Sequence, residues 1–279
     1  MKSIFDTVSY ECSRSVTRAY STSFSTAVKM LAPTIRQDIY NIYGFVRLAD
    51  EIVDTFHDYD KERLFSRFEQ DLALALQEGI SLNPVLNAFQ HTVVKYNIPE
   101  SLIDAFMKSM KQDLVKKEYA TFAEYNEYIY GSADVVGLMC LKVFVANDNT
   151  RYDTLKGPAM RLGSAFQKIN FLRDLKADME ELDRSYFPTL NLNEMTDATK
   201  RAIIEEIEAD LAEGFKGIVQ LPATAKFGVY TAYVYYKKLL TKLKNTPPLE
   251  IKNRRIRVPD YQKITLLAKC YLDYRLNII

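Results

Sequence analysis

Histidine and cysteine, which supply many protein metal ligands and catalytic nucleophiles, are scarce in this sequence. Its 279 residues include two imidazoles, His57 and His91, and three thiols, Cys12, Cys140 and Cys270. Three cysteines without a CxxC pair exclude a disulfide framework and a thiolate zinc site, and they suit a reducing compartment. Two histidines leave imidazole metal sites and Ser-His-Asp chemistry poorly supplied. Nine glycines and nine prolines argue against a turn-rich β architecture or long flexible linkers. Tryptophan is absent. No apolar run approaches the roughly 20 residues needed to cross a bilayer, and the Met1–Asp6 start lacks the apolar core of a signal peptide. A cytoplasmic protein is expected. A net charge of +1 gives no electrostatic footprint for nucleic acid, and the one basic stretch, Lys252–Arg257, reads as a solvated surface. Any chemistry has to rest on carboxylates and arginines.

What the sequence does have is helical periodicity, a hydrophobic content of 48% and nineteen tyrosines beside fifteen phenylalanines. Leu64, Phe68, Leu72, Ala75 and Leu76 recur at three- and four-residue spacing over Asp58–Glu78, with Gly79 as the stop. Asn83-Pro84 opens a helix to Lys95, and Ile98-Pro99 opens one to about Lys116. Thr121–Val145 and Arg151–Asp178 read as longer helices, the first with a kink or close approach at Gly131 and Gly137. After Pro188 a polar connection leads to Thr196–Leu211. Pro222 precedes a tyrosine-rich helix over Ala223–Lys244, and Pro259 precedes the last. Without period-two stretches or a linker, the expectation is one all-α domain over residues 1–279.

Two stretches carry carboxylates in an unusual setting. Asp50 and Asp54 lie four apart, so on a helix they point the same way, one turn apart. At about 100° per residue, Tyr43 and Arg47 fall on the same stripe. Apolar residues (Ile39, Ile42, Phe45, Val46, Leu48, Ile52, Val53) surround it. Asp174 and Asp178 repeat the spacing, with Gln167 within about 20° of them in projection and Asn170 within about 80°. Like charges so placed repel by about a few tenths of a kcal/mol, and a solvated face would be less apolar. One such pair is commonplace; two with aligned arginine or amide groups suit Mg²⁺, which prefers hard oxygen ligands completed by water and substrate phosphates. A diphosphate bridging two clusters would leave as its charge is neutralised. The allylic cation left behind needs aromatic faces and a dry cavity.

These residues resemble squalene and phytoene synthases. Asp50-Glu51-Ile52-Val53-Asp54 and the stretch Asn170–Asp178 are similar to the two aspartate-rich motifs of that family. Tyr20–Ser25 is similar to its N-terminal serine-phenylalanine segment, Tyr128–Gly137 to its central helix, and Arg184–Pro188 to the short motif after the second pair. Weaker similarity runs from Tyr233 to Arg257. The resemblance implies an isoprenoid synthase helical bundle with a central active-site cavity. It implies Mg²⁺ bound by Asp50, Asp54, Asn170, Asp174 and Asp178, and diphosphate contacts from Arg47, Arg173, Ser21, Ser23, Tyr235 and Arg255. Gln167 would stand near the reacting carbons, and Phe24, Tyr43 and Tyr128 would line the prenyl pocket or reaction centre. The resemblance makes Asp50, Asp54, Asp174, Asp178, Arg47, Tyr128 and Gln167 the expected catalytic set.

The implied reaction joins two prenyl diphosphates head to head (1′-1) through a cyclopropylcarbinyl diphosphate. Two geranylgeranyl diphosphates would give phytoene, in carotenoid biosynthesis; two farnesyl diphosphates would give dehydrosqualene, or squalene with NADPH. Phytoene is the favoured product. A GxGxxG dinucleotide signature is absent, so NADPH is expected only of a squalene synthase. Such a hydrocarbon must reach a bilayer, so a peripheral contact with the inner membrane face is also an expectation. Head-to-tail synthases usually carry DDxxD motifs, which neither Asp50-Glu51 nor Asp174-Leu175 reproduces. A non-catalytic helical assembly protein of the same fold should have lost an aspartate, and all four are present. Glu51 stands where many members have aspartate. Lys168 is an unusual cation beside Gln167, read as solvated or as assisting phosphate. Asp134 replaces an expected small residue. Pocket depth is expected to depend on positions near Phe24, Val135 and Leu138.

Overall fold

The computed structural model describes residues 1–188, 195–276, 278 and 279. Helices dominate it. α1 (Lys2–Tyr20), α2 (Thr22–Lys29) and α3 (Pro33–Asp54) are followed by α4 (Lys61–Glu78), α5 (Pro84–Tyr96) and α6 (Glu100–Gln112). After α7 (Phe122–Ile129), a π-helical turn (Tyr130–Asp134) leads into α8 (Val135–Phe144). The rest comprises α9 (Asn149–Glu180), α10 (Asp197–Ile218), α11 (Ala223–Lys244), α12 (Pro248–Asn253) and α13 (Asp260–Arg275). Among the described residues the only β pairing is an isolated bridge between Glu118 and Ser185.

Local chemistry explains most helix ends. Asp60 caps α4 by accepting the Arg63 N–H, and Gly79 closes it at φ +70°, where a side chain would be strained. Asn83 caps α5 just before Pro84, and Thr121 and Glu124 form a reciprocal capping box on α7. The polar connection expected after Pro188 falls largely outside the described residues.

Three expected helices differ in detail. α6 ends at Gln112 rather than Lys116, because Asp113 turns inward to accept from Tyr128 and Tyr119. The helix expected over Thr121–Val145 is continuous but holds the π turn, where Gly131 packs against α6. A Cβ there would sit 2.7 Å from the Ala105 carbonyl oxygen. α10 runs past Leu211 to Ile218, because Gly214 and Gly217 serve close packing and not termination. Their Cβ positions would lie 3.0 Å from Leu162 and 2.6 Å from Pro158 of α9.

Two groups of buried side chains form the core. One gathers α3, α5, α6 and α8 around Phe45, Phe89 and Phe106; the other gathers α9, α10 and α11 with the tyrosines of α7. Between them, lined by members of both, lies a cavity of about 310 Å³. Among the described residues no helix is long and apolar enough to cross a membrane.

Candidate active site

α3 and α9 carry the two aspartate pairs, and both helices also line the cavity. On α3, Ile39, Ile42, Tyr43 and Val46 face the cavity; on α9, Leu162, Phe166, Gln167 and Asn170 do so. One turn further along each helix the lining gives way to charge. Arg47 donates to Asp50 through Nη1 and to Glu51 Oε2 at 2.5 Å through Nη2, with its guanidinium 4.4 Å over the Tyr20 ring. Arg173 Nε donates to Asp174 Oδ1 at 2.9 Å, and Arg255 Nε lies 2.7 Å from the same oxygen. Arg255 is thus a surface residue of its basic stretch that also reaches Asp174.

The two pairs act on each other. Burial, followed by the charge of Asp54, pushes the Asp50 carboxyl well above the usual range. Burial, then the charges of Asp174 and of Asp54 on the other helix, pushes Asp178 up to about 8. Such a site is short of positive charge. Among the described residues, though, no three His, Cys, Asp or Glu side chains converge into a closed metal cage. Mg²⁺ tolerates that arrangement, because it keeps several waters and is completed by substrate phosphates. The hard oxygen donors present fit Mg²⁺.

Aromatic faces line the apolar part. Phe24 stacks on Tyr43 with centroids 4.6 Å apart, and Tyr236 stacks on Phe166 at 4.0 Å. Tyr236 also donates to Asn170 Oδ1 at 3.3 Å. Burial pushes the Tyr43 phenol up to about 12, so it stays neutral at physiological pH.

Phe24, Tyr43, Gln167 and Asn170 line the cavity, and Arg47, Arg173 and Arg255 stand at the carboxylates. Ser21 caps α2, its Oγ accepting the Phe24 N–H at 3.2 Å. Ser23 and Tyr235 line a neighbouring crevice of about 30 Å³ with Lys263 and Cys270, and Tyr235 lies close enough to Arg173 to act on its charge. It is Tyr236 that reaches Asn170, and helical phase pointed to it: Val229, Ala232 and Tyr236 follow one another at three- and four-residue spacing along the cavity wall. Tyr128 is buried outside the cavity lining, donating to Asp113 Oδ2 at 2.7 Å and packed on Tyr119 and Tyr186.

Three sequence readings are corrected. Lys168 is neither solvated nor near the phosphate end: it is 4% exposed, pairing with Glu206 and, at 2.7 Å, with Asp210 of α10. Asp134 has a partner, accepting from Ser164 Oγ at 2.6 Å. Val135 and Leu138 are core residues outside the cavity lining, to which their neighbours Val136, Gly137, Cys140 and Leu141 contribute. Asp113 and Tyr119 went unnoticed, since neither belongs to a helical pair.

The sequence and the fold have recognisable relatives. The profile of the squalene/phytoene synthase family matches residues 17–262. Phytoene synthase of Arthrospira platensis is 26% identical, with 96% of this chain and 94% of the relative covered. The 15-cis-phytoene synthase of Synechocystis is 28% identical, covering 94% and 84%. A ligand-bound dehydrosqualene synthase superposes with a TM-score of 0.83 over 97% of this chain and 98% of its own, at 21% identity. The squalene synthase HpnC from Alicyclobacillus acidocaldarius gives 0.74 over 85% and 93%, also at 21%. With the family profile spanning most of its length, the chain belongs to the squalene/phytoene synthase family.

Proposed function

We propose that this chain is a Mg²⁺-dependent prenyltransferase that joins two geranylgeranyl diphosphates head to head into phytoene, acting as one helical domain over residues 1–279. The observation that carries this reading is an apolar, aromatic cavity whose two long helical walls each end in an aspartate pair flanked by arginine. The phytoene synthases among its relatives support the choice of substrate.

Asp50, Asp54, Asn170, Asp174 and Asp178 would hold Mg²⁺, whose charge would neutralise each departing diphosphate. Arg47, Arg173 and Arg255 offer fixed donor forks to diphosphate oxygens. Ionisation of one substrate breaks its C–O bond, and the electrons leave with diphosphate. The double bond of the second substrate attacks the allylic cation, and loss of one proton closes the cyclopropane. A second ionisation releases the other diphosphate, and after rearrangement a second proton is lost. The faces of Phe24, Tyr43, Phe166 and Tyr236 stabilise these cations and keep water from capturing them. The Gln167 amide lies in the same lining and can orient the reacting carbons. A peripheral bilayer contact for product release belongs to the same reading.

The experiment is product analysis with Mg²⁺, offering geranylgeranyl or farnesyl diphosphate, each with and without NADPH. Phytoene from geranylgeranyl diphosphate without NADPH is the expected outcome. A C30 product alone would replace the substrate and keep the mechanism; no product from either would overturn the reading.

A further inference from the structure

The chain leaving α9 turns sharply at Asp183, whose φ is +52°, and sends Arg184 back into the protein. Arg184 is 5% exposed, and its backbone N–H donates to the Asp178 carbonyl at 2.8 Å. Its guanidinium spans two other helix ends. Nη1 donates to Asp54 Oδ1 at 2.5 Å, at the end of α3, and Nη2 donates to the Asp113 carbonyl at 2.7 Å, just past α6. The Asp113 carboxylate, 2% exposed and 4.0 Å from Nη1, accepts from Tyr128 and Tyr119 at 2.7 and 3.4 Å. Backbone bonds tie the same segments: Ser185 N–H to the Lys117 carbonyl at 2.8 Å, and Tyr119 N–H to the Ser185 carbonyl at 3.2 Å.

A buried guanidinium and carboxylate are a costly way to join three helices, and apolar residues of similar volume are often as stable. Stability therefore does not explain the choice. What distinguishes this group is its address. α3 ends in Asp54 and α9 carries Asp178, so one residue contacts the backbone or carboxylate of a member of each pair.

We propose that Arg184 and Asp113 form a buried clasp that sets the spacing of the two aspartate pairs, with Arg184 as a positioning residue for Asp54 and Asp178. The inference rests on the proposed metal-diphosphate site but concerns its geometry, not the substrate. A partner that orients a metal ligand typically changes metal affinity by about 10–100-fold when lost.

The test counts Mn²⁺ bound in the presence of inorganic pyrophosphate, by electron paramagnetic resonance, alongside turnover and melting temperature. Arg184→Gln is expected to weaken Mn²⁺ binding at least tenfold and to lower kcat more than it raises KM for prenyl diphosphate. Arg184→Lys should recover part of both. Asp113→Asn, which keeps volume and the Tyr128 hydrogen bond, should weaken Mn²⁺ binding in the same direction by less. If Arg184→Gln does not fold, Arg184→Lys decides: weaker Mn²⁺ binding than wild type supports the clasp, equal binding overturns it. Wild-type Mn²⁺ affinity in a folded Arg184→Gln protein with a lowered melting temperature would reduce the group to ordinary structure and overturn the proposal. Arg184-dependent Mn²⁺ binding in a wild-type protein that forms no hydrocarbon would instead sink the proposed reaction and leave the clasp standing.

Discussion

Asp134 shows how one side chain can work against the fold. Burial, partly offset by the Ser164 hydrogen bond, pushes its carboxyl up to about 6 from 3.8. Because the folded pKa is the higher one, the folded state binds more protons between those values, and stability falls as pH rises through that window. Asp134→Asn keeps the size and an acceptor for Ser164, and should stabilise the protein by on the order of 1–3 kcal/mol at pH 7 and by almost nothing below pH 4. Denaturant unfolding of both proteins at the two pH values checks this; equal midpoints at pH 7 would contradict it. Asp50→Asn and Asp174→Asn should each lower turnover at least about 100-fold while leaving the far-UV circular dichroism unchanged. Wild-type rates from either would remove the metal assignment. These aspartates were legible in the sequence because an i,i+4 pair is a local pattern. Tyr236, which lines the cavity and reaches Asn170, could be found only through its phase with Val229 and Ala232. Arg184 stood out only as part of a motif and Asp113 not at all; their contact spans 71 positions of sequence and only the fold brings them together.

The extents of helices such as α9 were readable from periodicity and breakers, but the way helices pack was not. α1 buries Ser9, Ser13 and Thr17, with Ser9 and Thr17 donating to carbonyls one turn back at 2.9 Å. This hydroxyl face lets α3 approach so closely that a Cβ on Gly44 would stand 3.0 Å from Ser13 Cβ, and it leaves no hydrophobic periodicity to detect. The pairing of α9 with α10 relies on Lys168, a buried cation held by Asp210 and Glu206. Replacing it by Met leaves Asp210 buried with Arg161 alone, and should cost about 3 kcal/mol, measured as a shift in thermal or denaturant midpoint. At the π turn, an alanine at Gly131 would place Cβ 1.9 Å from Ser109 Oγ and 2.7 Å from a backbone oxygen. Gly131→Ala should therefore destabilise by about 1–3 kcal/mol, and adding Ser109→Ala should not restore it, because the carbonyl remains. Full recovery in the double variant would show that the side chain alone is the obstacle.

Over the whole molecule, helix spacing defines the cavity, and that spacing depends on close approaches the sequence does not announce. Gly228 of α11 lies against Leu31: a Cβ would meet Leu31 Cδ2 at 2.4 Å. Leu31 lines the cavity, and its tip is free to yield inward. Gly228→Ala should lower the C20-to-C15 ratio of kcat/KM values, measured with competing diphosphates, by roughly tenfold. An unchanged ratio would mean that this wall does not limit chain length. The helical class and the aspartate pairs could be read in advance, being local; cavity depth could not, being a difference between surfaces remote in sequence. The π turn carries one further consequence. Each residue of an α-helix advances it by about 100°, and the wider turn at Tyr130–Asp134 shifts the phase of α8 relative to α7. Tyr128 meets Asp113 on one side while Val136 and Gly137 meet the cavity on the other. A single deletion there would act as a rotation, swinging Tyr128 away from its partner even if every remaining side chain were kept. In this stretch the number of residues carries as much information as their identity, and related chains should vary in letters here long before they vary in length.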